Sequence, residues 1–379
     1  MNKYLEFEID FNEVAYLIKN ANLPFDFIIL DSLKKLKSAC IKNRIKNTLF
    51  GINIGPNEYL DKLLGNDMID RALYFKKLGF DFVNLHIARQ LTISYFNNQS
   101  KDNDSQIVLS KNHYNSYKEF FNKLKDKLDF TFHMPTDEFI YTDPKNKLFN
   151  QCLHLANEVS QGLPQNILPL SFHAYRAKKS SDLARDLEKS RDKTVDLIIR
   201  TAKYLSRLER KNKLKITLSL EMLNQELPSS HYVRYCVSPH QVLETFYQAI
   251  DEDREGLVKK YFDQGIFSVT FDIGHFLLDQ KFQYFSPGQD KHQLNRTLYY
   301  GFEDFSKRIS LFHISGIIEK KYLYQYLDQR RSEEFMSKFG KEHTHHCPFL
   351  IADAEKVGEV LKQVEIFSNI EENIFSNPI

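Results

Sequence analysis

The stretch Ile266–His275 reads IFSVTFDIGH, an apolar and β-branched run that closes on Asp272, with His275 three positions further on. A parallel strand buried on both faces reads as a near-continuous apolar run of this kind. The same arrangement recurs along the chain. DFTFHMP, from Asp129, closes on His133; ILPLSFHAYR, from Ile167, on His173; KITLSLEMLN, from Lys215, on Glu221; RISLFHISG, from Arg308, on His313. Helical patterns alternate with these runs: Ile69–Leu78, Asn115–Leu128, Leu148–Gln161, Lys193–Arg210, Pro239–Ile250 and Glu255–Asp263. Strands alternating with helices are the signature of βαβ units and a parallel sheet. An acid or imidazole at one strand end after another points to a (β/α)8 barrel with a metal site at its C-terminal face.

Working outward, two further strands are expected near Leu49–Gly55 and Phe80–Ile87, and the eighth from the last residues, Asn373–Ile379. Residues 1–48 are then expected as an N-terminal extension, with a strand and a helix in FDFIILDSLKKLKSACIKNRI, and residues 49–379 as the barrel. Three long segments interrupt it: Asn97–Asn112, Gln280–Thr297 and Glu319–Glu342. Loops of that length in a compact domain are usually lids, binding loops or disorder. The latter two follow ligand-bearing strands and are expected to wall the site.

The 379 residues accommodate a barrel of roughly 250 residues with insertions. A formal charge of +2 neither demands nor forbids a nucleic-acid partner. Cys40, Cys152, Cys236 and Cys347 are widely spaced with no CxxC pair, which argues against a disulfide framework and for a reducing cytoplasm. The opening MNKYLEFEIDFNEV has no uninterrupted apolar core of signal length, and no run of about 18 apolar residues occurs, so no membrane association is expected.

With FHMP, FHAYR, LSLEM, DIGH and LFHISG in this order, the chain from about Leu49 onward resembles the xylose-isomerase-like TIM barrels. That superfamily includes endonuclease IV, UV-damage endonucleases and sugar isomerases and epimerases. The endonuclease IV pattern implies up to three metals. His133 and His173 would hold the first, Glu221 would bridge to the second, and Asp272 and His313 would complete the second. His275 would belong to the third, together with an Asp-x-His pair. Here that region reads KEHTHHCPF from Lys341: His346 takes the place of the histidine, Thr344 stands where the aspartate is expected, and His343 or His345 is the candidate substitute. The glutamate of the family's eighth strand would fall at Ser376.

Each of these residues has an ordinary structural reading. A single histidine on an apolar strand is usually a core residue bonded to backbone, and only the five consecutive strand ends argue otherwise. Glu221 and Asp272 carry more weight, because a carboxylate closing a buried strand must be paired, protonated or metal-bound. His86 also closes a strand and is read as structural or as pocket wall. Tyr175 and Arg176, directly after His173, are candidates for recognising an anionic substrate, against the plain reading of a solvated loop.

The favoured function is divalent-metal-dependent hydrolysis of a phosphoester, endonuclease IV-like, with Glu221, Asp272 and His275 as catalytic residues. Imidazole with carboxylate donors suits one to three zinc or manganese ions. The substrate would carry a phosphate, in nucleic acid or in a sugar phosphate. The rival is a sugar or sugar-phosphate isomerase or epimerase with one ion on Glu221, Asp272 and His313. Epimerases of the superfamily pair the fifth- and eighth-strand glutamates as acid and base, so a serine at 376 counts against that reading. A third reading is a barrel that binds without turnover.

Overall fold

The computed structural model describes residues 3–9, 11–55, 58–65, 67–86, 111–134, 147–163, 167–223, 231–277, 301–314, 323–338 and 354–368. Its centre is a closed barrel of eight parallel strands. In order around the barrel these are β1 (Lys3–Phe7), β2 (Thr48–Asn53), β3 (Phe82–His86), β4 (Asp129–His133), β5 (Leu168–Phe172), β7 (Ile216–Met222), β9 (Phe267–Asp272) and β10 (Ile309–Ile314). The remaining pair, β6 (Arg176–Lys178) and β8 (Tyr232–Arg234), forms a small antiparallel sheet in the segments that follow β5 and β7.

The expected barrel start is corrected. Lys3–Phe7 pairs with β2 on one side and with β10 on the other, with Glu6 level with Gly51 and with His313. Residues 1–48 are therefore not an extension ahead of the barrel; they supply its first strand and the helices α1 (Phe11–Ala21) and α2 (Phe25–Lys42). The strand expected in FDFIIL is the first part of α2. The barrel closes without Asn373–Ile379, which lie outside the described residues, as do Asn97–Ser110 and Gln280–Thr297.

Alternation explains why β1 fits this position. Leu5, Phe7 and Ile9 join the large core between strands and helices, whereas Tyr4 packs with Phe82, Leu311 and Leu49 in a small cluster of its own inside the barrel. Side chains two apart on a strand share a face, so Glu6 and Glu8 point into the barrel with Tyr4. At Gly51 of β2 the lack of a side chain is required, because a Cβ there would sit inside the Phe82 ring.

The interior changes character from floor to mouth. Low in the barrel, the hydroxyls of Ser219, Ser268 and Ser310 satisfy one another at 2.5–2.8 Å. Above them lie Glu6, Asn84 and Thr131, all buried. At the C-terminal ends of the strands come the histidines and carboxylates described below.

On the outside, helices are seated by side-chain caps. Asp67 accepts from Ile69 N at the start of α4 (Met68–Lys77, after the short α3, Glu58–Leu64), and Asp182 accepts from Arg185 N at the start of the long helix Leu183–Glu209. That long helix also holds the small sheet over the mouth: Thr194 Oγ1 accepts from Tyr175 N at 3.0 Å, and Ser190 Oγ accepts from Tyr235 N at 2.9 Å. Among the described residues, Cys40, Cys152 and Cys236 are buried free thiols, and no helix is long and apolar enough to cross a membrane.

Candidate metal site

Five strand ends meet around Glu221. One of its carboxylate oxygens, Oε2, lies 3.2 Å from His133 Nε2 and 3.0 Å from His173 Nε2. The other, Oε1, lies 3.1 Å from His313 Nδ1. His133 ends β4, His173 directly follows β5, and His313 is the fifth residue of β10, so all three lie at the C-terminal ends of their strands. Asp272 ends β9, level with His313. His275 turns back towards it: its backbone N–H donates to Asp272 Oδ1 at 2.7 Å, and its Nε2 is 3.4 Å from Oδ2.

These residues form two donor groups that share Glu221. The first is His133, His173 and Glu221; the second is Glu8, Glu221, Asp272 and His313. Within each group the candidate ligand atoms lie within 4.8 Å of one another.

Glu8 was not among the residues singled out in the sequence. Its Oε1 is 3.3 Å from His313 Nδ1, so the residue directly after the first strand brings a further glutamate to the site. The signal was present in YLEFEI, where acids alternate with apolar residues directly after the start of the chain. Such alternation normally puts the acids in water, and only a strand inside a closed barrel turns them inward. Glu6, one step lower on the same face, went unnoticed for the same reason.

The remaining expectations divide by location. His343, Thr344, His345, His346 and Ser376 lie outside the described residues. His86 ends β3, level with His133. Tyr175 is held by its backbone against the long helix, and Arg176 opens β6 with its guanidinium 4.4 Å from the centre of the Tyr232 ring. Across the small sheet Arg176 faces Arg234, a second arginine that the sequence reading passed over.

The electrostatics describe what these groups do to one another in the metal-free protein. Burial opposes ionisation of Glu221, but the charges of His313 and His173 outweigh it and hold the carboxyl well below its usual range. Asp272 is driven well above its usual range, first by burial and then by the charges of Glu8 and Glu221. Burial pushes His173 down to about 4, with Glu221 opposing and His133 and Arg234 adding to the drop. For His313 the carboxylates of Glu221, Glu8 and Glu6 overcome burial and raise it well above the ordinary value. His133 is raised by Glu221 in the same way, against burial. Burial also lifts Glu6 to about 7.

The donor set fits a divalent cation. Glu8, Glu221 and Asp272 bring three carboxylates to one imidazole, and Glu221 and Asp272 are fully shielded from water. Carboxylates gathered in a low-dielectric interior require a proton or a cation between them. Asp272 Oδ2 accepts no hydrogen bond, and His275 Nε2 lies 3.4 Å from it. Imidazole with carboxylate suits zinc or manganese, and iron less specifically.

No protein-family model matches the sequence, and no curated protein matches it. Among solved structures the chain is similar to a D-tagatose 3-epimerase-like protein, at 13% identity and a TM-score of 0.39, over 85% of this chain and 98% of that one. It is similar to a xylose isomerase domain protein from Alicyclobacillus acidocaldarius, at 10% identity and a TM-score of 0.38, over 83% and 97%. It is also similar to endonuclease IV from Thermus thermophilus, at 10% identity and a TM-score of 0.32, over 71% and 77%. The likeness is one of fold.

Proposed function

We propose that this protein is a divalent-metal-dependent hydrolase of phosphoesters, endonuclease IV-like in its chemistry. The observation that carries the reading is the division of Glu221: one oxygen faces His133 and His173, the other faces His313. A carboxylate so placed would serve two cations at once. His133, His173 and Glu221 would hold one; Glu8, Glu221, Asp272 and His313 would hold the other. A third would use His275, together with His346 or a neighbouring histidine.

Cations bound there supply Lewis acidity for a phosphoryl oxygen and lower the pKa of a water to about 7 in the case of zinc. The protein's own part is to hold that chemistry in place. Glu221 fixes the separation of the two donor groups. Asp272, buttressed by the His275 backbone N–H, would contribute a carboxylate oxygen to the second. Arg176 and Arg234, on the small sheet beyond His173, supply positive charge for an anionic substrate, with Tyr175 beside them. A phosphate in nucleic acid or in a sugar phosphate suits that charge.

Glu8 supports a second reading. An isomerase or epimerase needs a second glutamate near Glu221 as its acid–base partner, and the residue directly after β1 provides one. In that case a single ion would sit on Glu8, Glu221, Asp272 and His313, and His133 and His173 would be dispensable for metal.

The two readings part on metal content. Elemental analysis of protein prepared without chelator, alongside the His133→Ala/His173→Ala double variant, separates them. Hydrolysis predicts two or more ions per chain in the wild type, one fewer in the variant, and loss of phosphodiesterase activity on a chromogenic diester. A single ion in both proteins, with no diester cleavage in either, would favour the isomerase.

A further inference from the structure

We infer that Glu6 is a positioning residue for the metal site: it accepts a hydrogen bond from His313 Nε2–H and so leaves the Nδ1 lone pair directed at the second donor group. The inference rests on the metal reading above. His313 is fully buried and its two ring nitrogens face different neighbours. Nδ1 is 3.1 Å from Glu221 Oε1 and 3.3 Å from Glu8 Oε1, within the donor group. Nε2 has no hydrogen-bond partner and lies 3.7 Å from Glu6 Oε2. Glu6 is equally shielded from water, and its Oε1 accepts no hydrogen bond. A buried donor without an acceptor therefore faces a buried carboxylate with acceptor capacity left over.

The chemistry of imidazole decides the direction. A neutral ring has one N–H and one lone pair. A cation among Glu8, Glu221 and Asp272 requires the lone pair on Nδ1, which places the proton on Nε2, the nitrogen next to Glu6. Closing the gap to an ordinary N–H···O length takes a movement of about half an ångström. Glu6 is itself held from the floor of the barrel: Asn84 Nδ2 donates to Oε2 at 2.8 Å, and Thr131 Oγ1 donates to it at 3.2 Å. Strands β1, β3, β4 and β10 thus cooperate below the site. A carboxylate behind a metal-bound histidine fixes its tautomer and raises its basicity, and loss of such a partner typically costs about 10–100-fold in metal affinity.

The test is competition between the protein and a chromophoric chelator for Zn2+, with wild type, Glu6→Leu and Glu6→Gln. Removing the acceptor with leucine should weaken one ion by about 10–100-fold and leave the ion on His133 and His173 nearly unchanged. Glutamine keeps an acceptor oxygen and should fall between leucine and wild type. Long-range 1H–15N spectra of the zinc-loaded wild type should show the His313 proton on Nε2. If the leucine variant does not fold, the glutamine variant and the spectra still decide. Unchanged affinity for both ions, equal weakening of both, or a proton on Nδ1 would overturn the role of Glu6 alone. Wild type that takes up no Zn2+ at all would remove the metal reading and this inference together.

Discussion

Glu221 and Glu8 are both glutamates at the mouth of one barrel, yet their surroundings assign them different weights. Glu221 is touched from both sides by imidazoles and belongs to both donor groups; Glu8 belongs to one and lies nearer the rim, at 9% exposure. Glu221→Gln preserves the shape and removes the charge that both groups share, so both ions should be lost on dialysis. The fall in affinity should exceed the roughly 10–100-fold that follows loss of an outer partner. Glu8→Gln should empty only one site. The check is metal content per chain after dialysis against a mild chelator; a Glu221→Gln protein that keeps two ions would show that this residue bridges nothing. At this scale the sequence was informative wherever a ligand type closed an apolar run, as at His133, His173, Glu221, Asp272 and His313. It was silent on Glu6 and Glu8, because residue type and alternation cannot say which face of a strand is enclosed.

Elements were legible in proportion to how few charged side chains interrupt them. β5, β7, β9 and β10 carry only apolar, serine, threonine or proline side chains up to the ligand type that closes them, β4 adds only Asp129, and helices such as Pro239–Glu252, with Ser238 as cap and proline at its first position, announce themselves. β1 did not, for its five residues include Lys3 and Glu6 and no ligand type closes an apolar run there, and its membership depends on pairing with β10 some three hundred residues away. FDFIIL misled in the opposite direction: its apolar run suits a strand, but Phe25, Ile28, Ile29, Ser32, Leu33 and Leu36 repeat at helical spacing and are all buried in α2. The junction of β1, β2 and β3 offers a direct test of the register. Phe82 is fully buried, its ring 5.4 Å from that of Tyr4 in an edge-to-face contact, and it lies across the bare backbone of Gly51. Gly51→Ala should therefore destabilise the protein by about 1–3 kcal/mol through overpacking. Adding Phe82→Leu should recover part of that loss, although the leucine substitution alone is destabilising. Urea unfolding of the two single variants and the double variant measures the coupling. Strict additivity would show that Gly51 and Phe82 do not meet inside the barrel.

For the molecule as a whole, the buried charges make stability depend on pH, and a cation held among them would change that dependence. In the metal-free protein Glu6 is lifted by burial from its usual 4.5 to about 7, and Asp272, His133 and His313 are raised as well. A group whose folded pKa is raised contributes stability that is complete below its unfolded value and is lost as pH climbs through the folded one. Glu6 alone accounts for a loss on the order of 3 kcal/mol between about pH 4.5 and pH 7. His173 works in the other direction. Depressed to about 4, it favours the folded state at neutral pH, and that contribution is lost as pH falls from about 6.5 to 4. The two slopes oppose each other below about pH 6.5, and above it only the raised groups still titrate. The melting temperature of the metal-free protein should therefore fall as pH rises from about 6.5 to 8.5. Bound cations replace those same protons, and their affinity grows as the protons leave. The metal-loaded protein should keep its melting temperature across that range, so the gap between the two forms should widen with pH. Calorimetric scans of both forms at several pH values supply the measurement. A gap that stays constant or narrows would mean that the cation does not displace protons from these carboxylates and imidazoles, and so is not held by them.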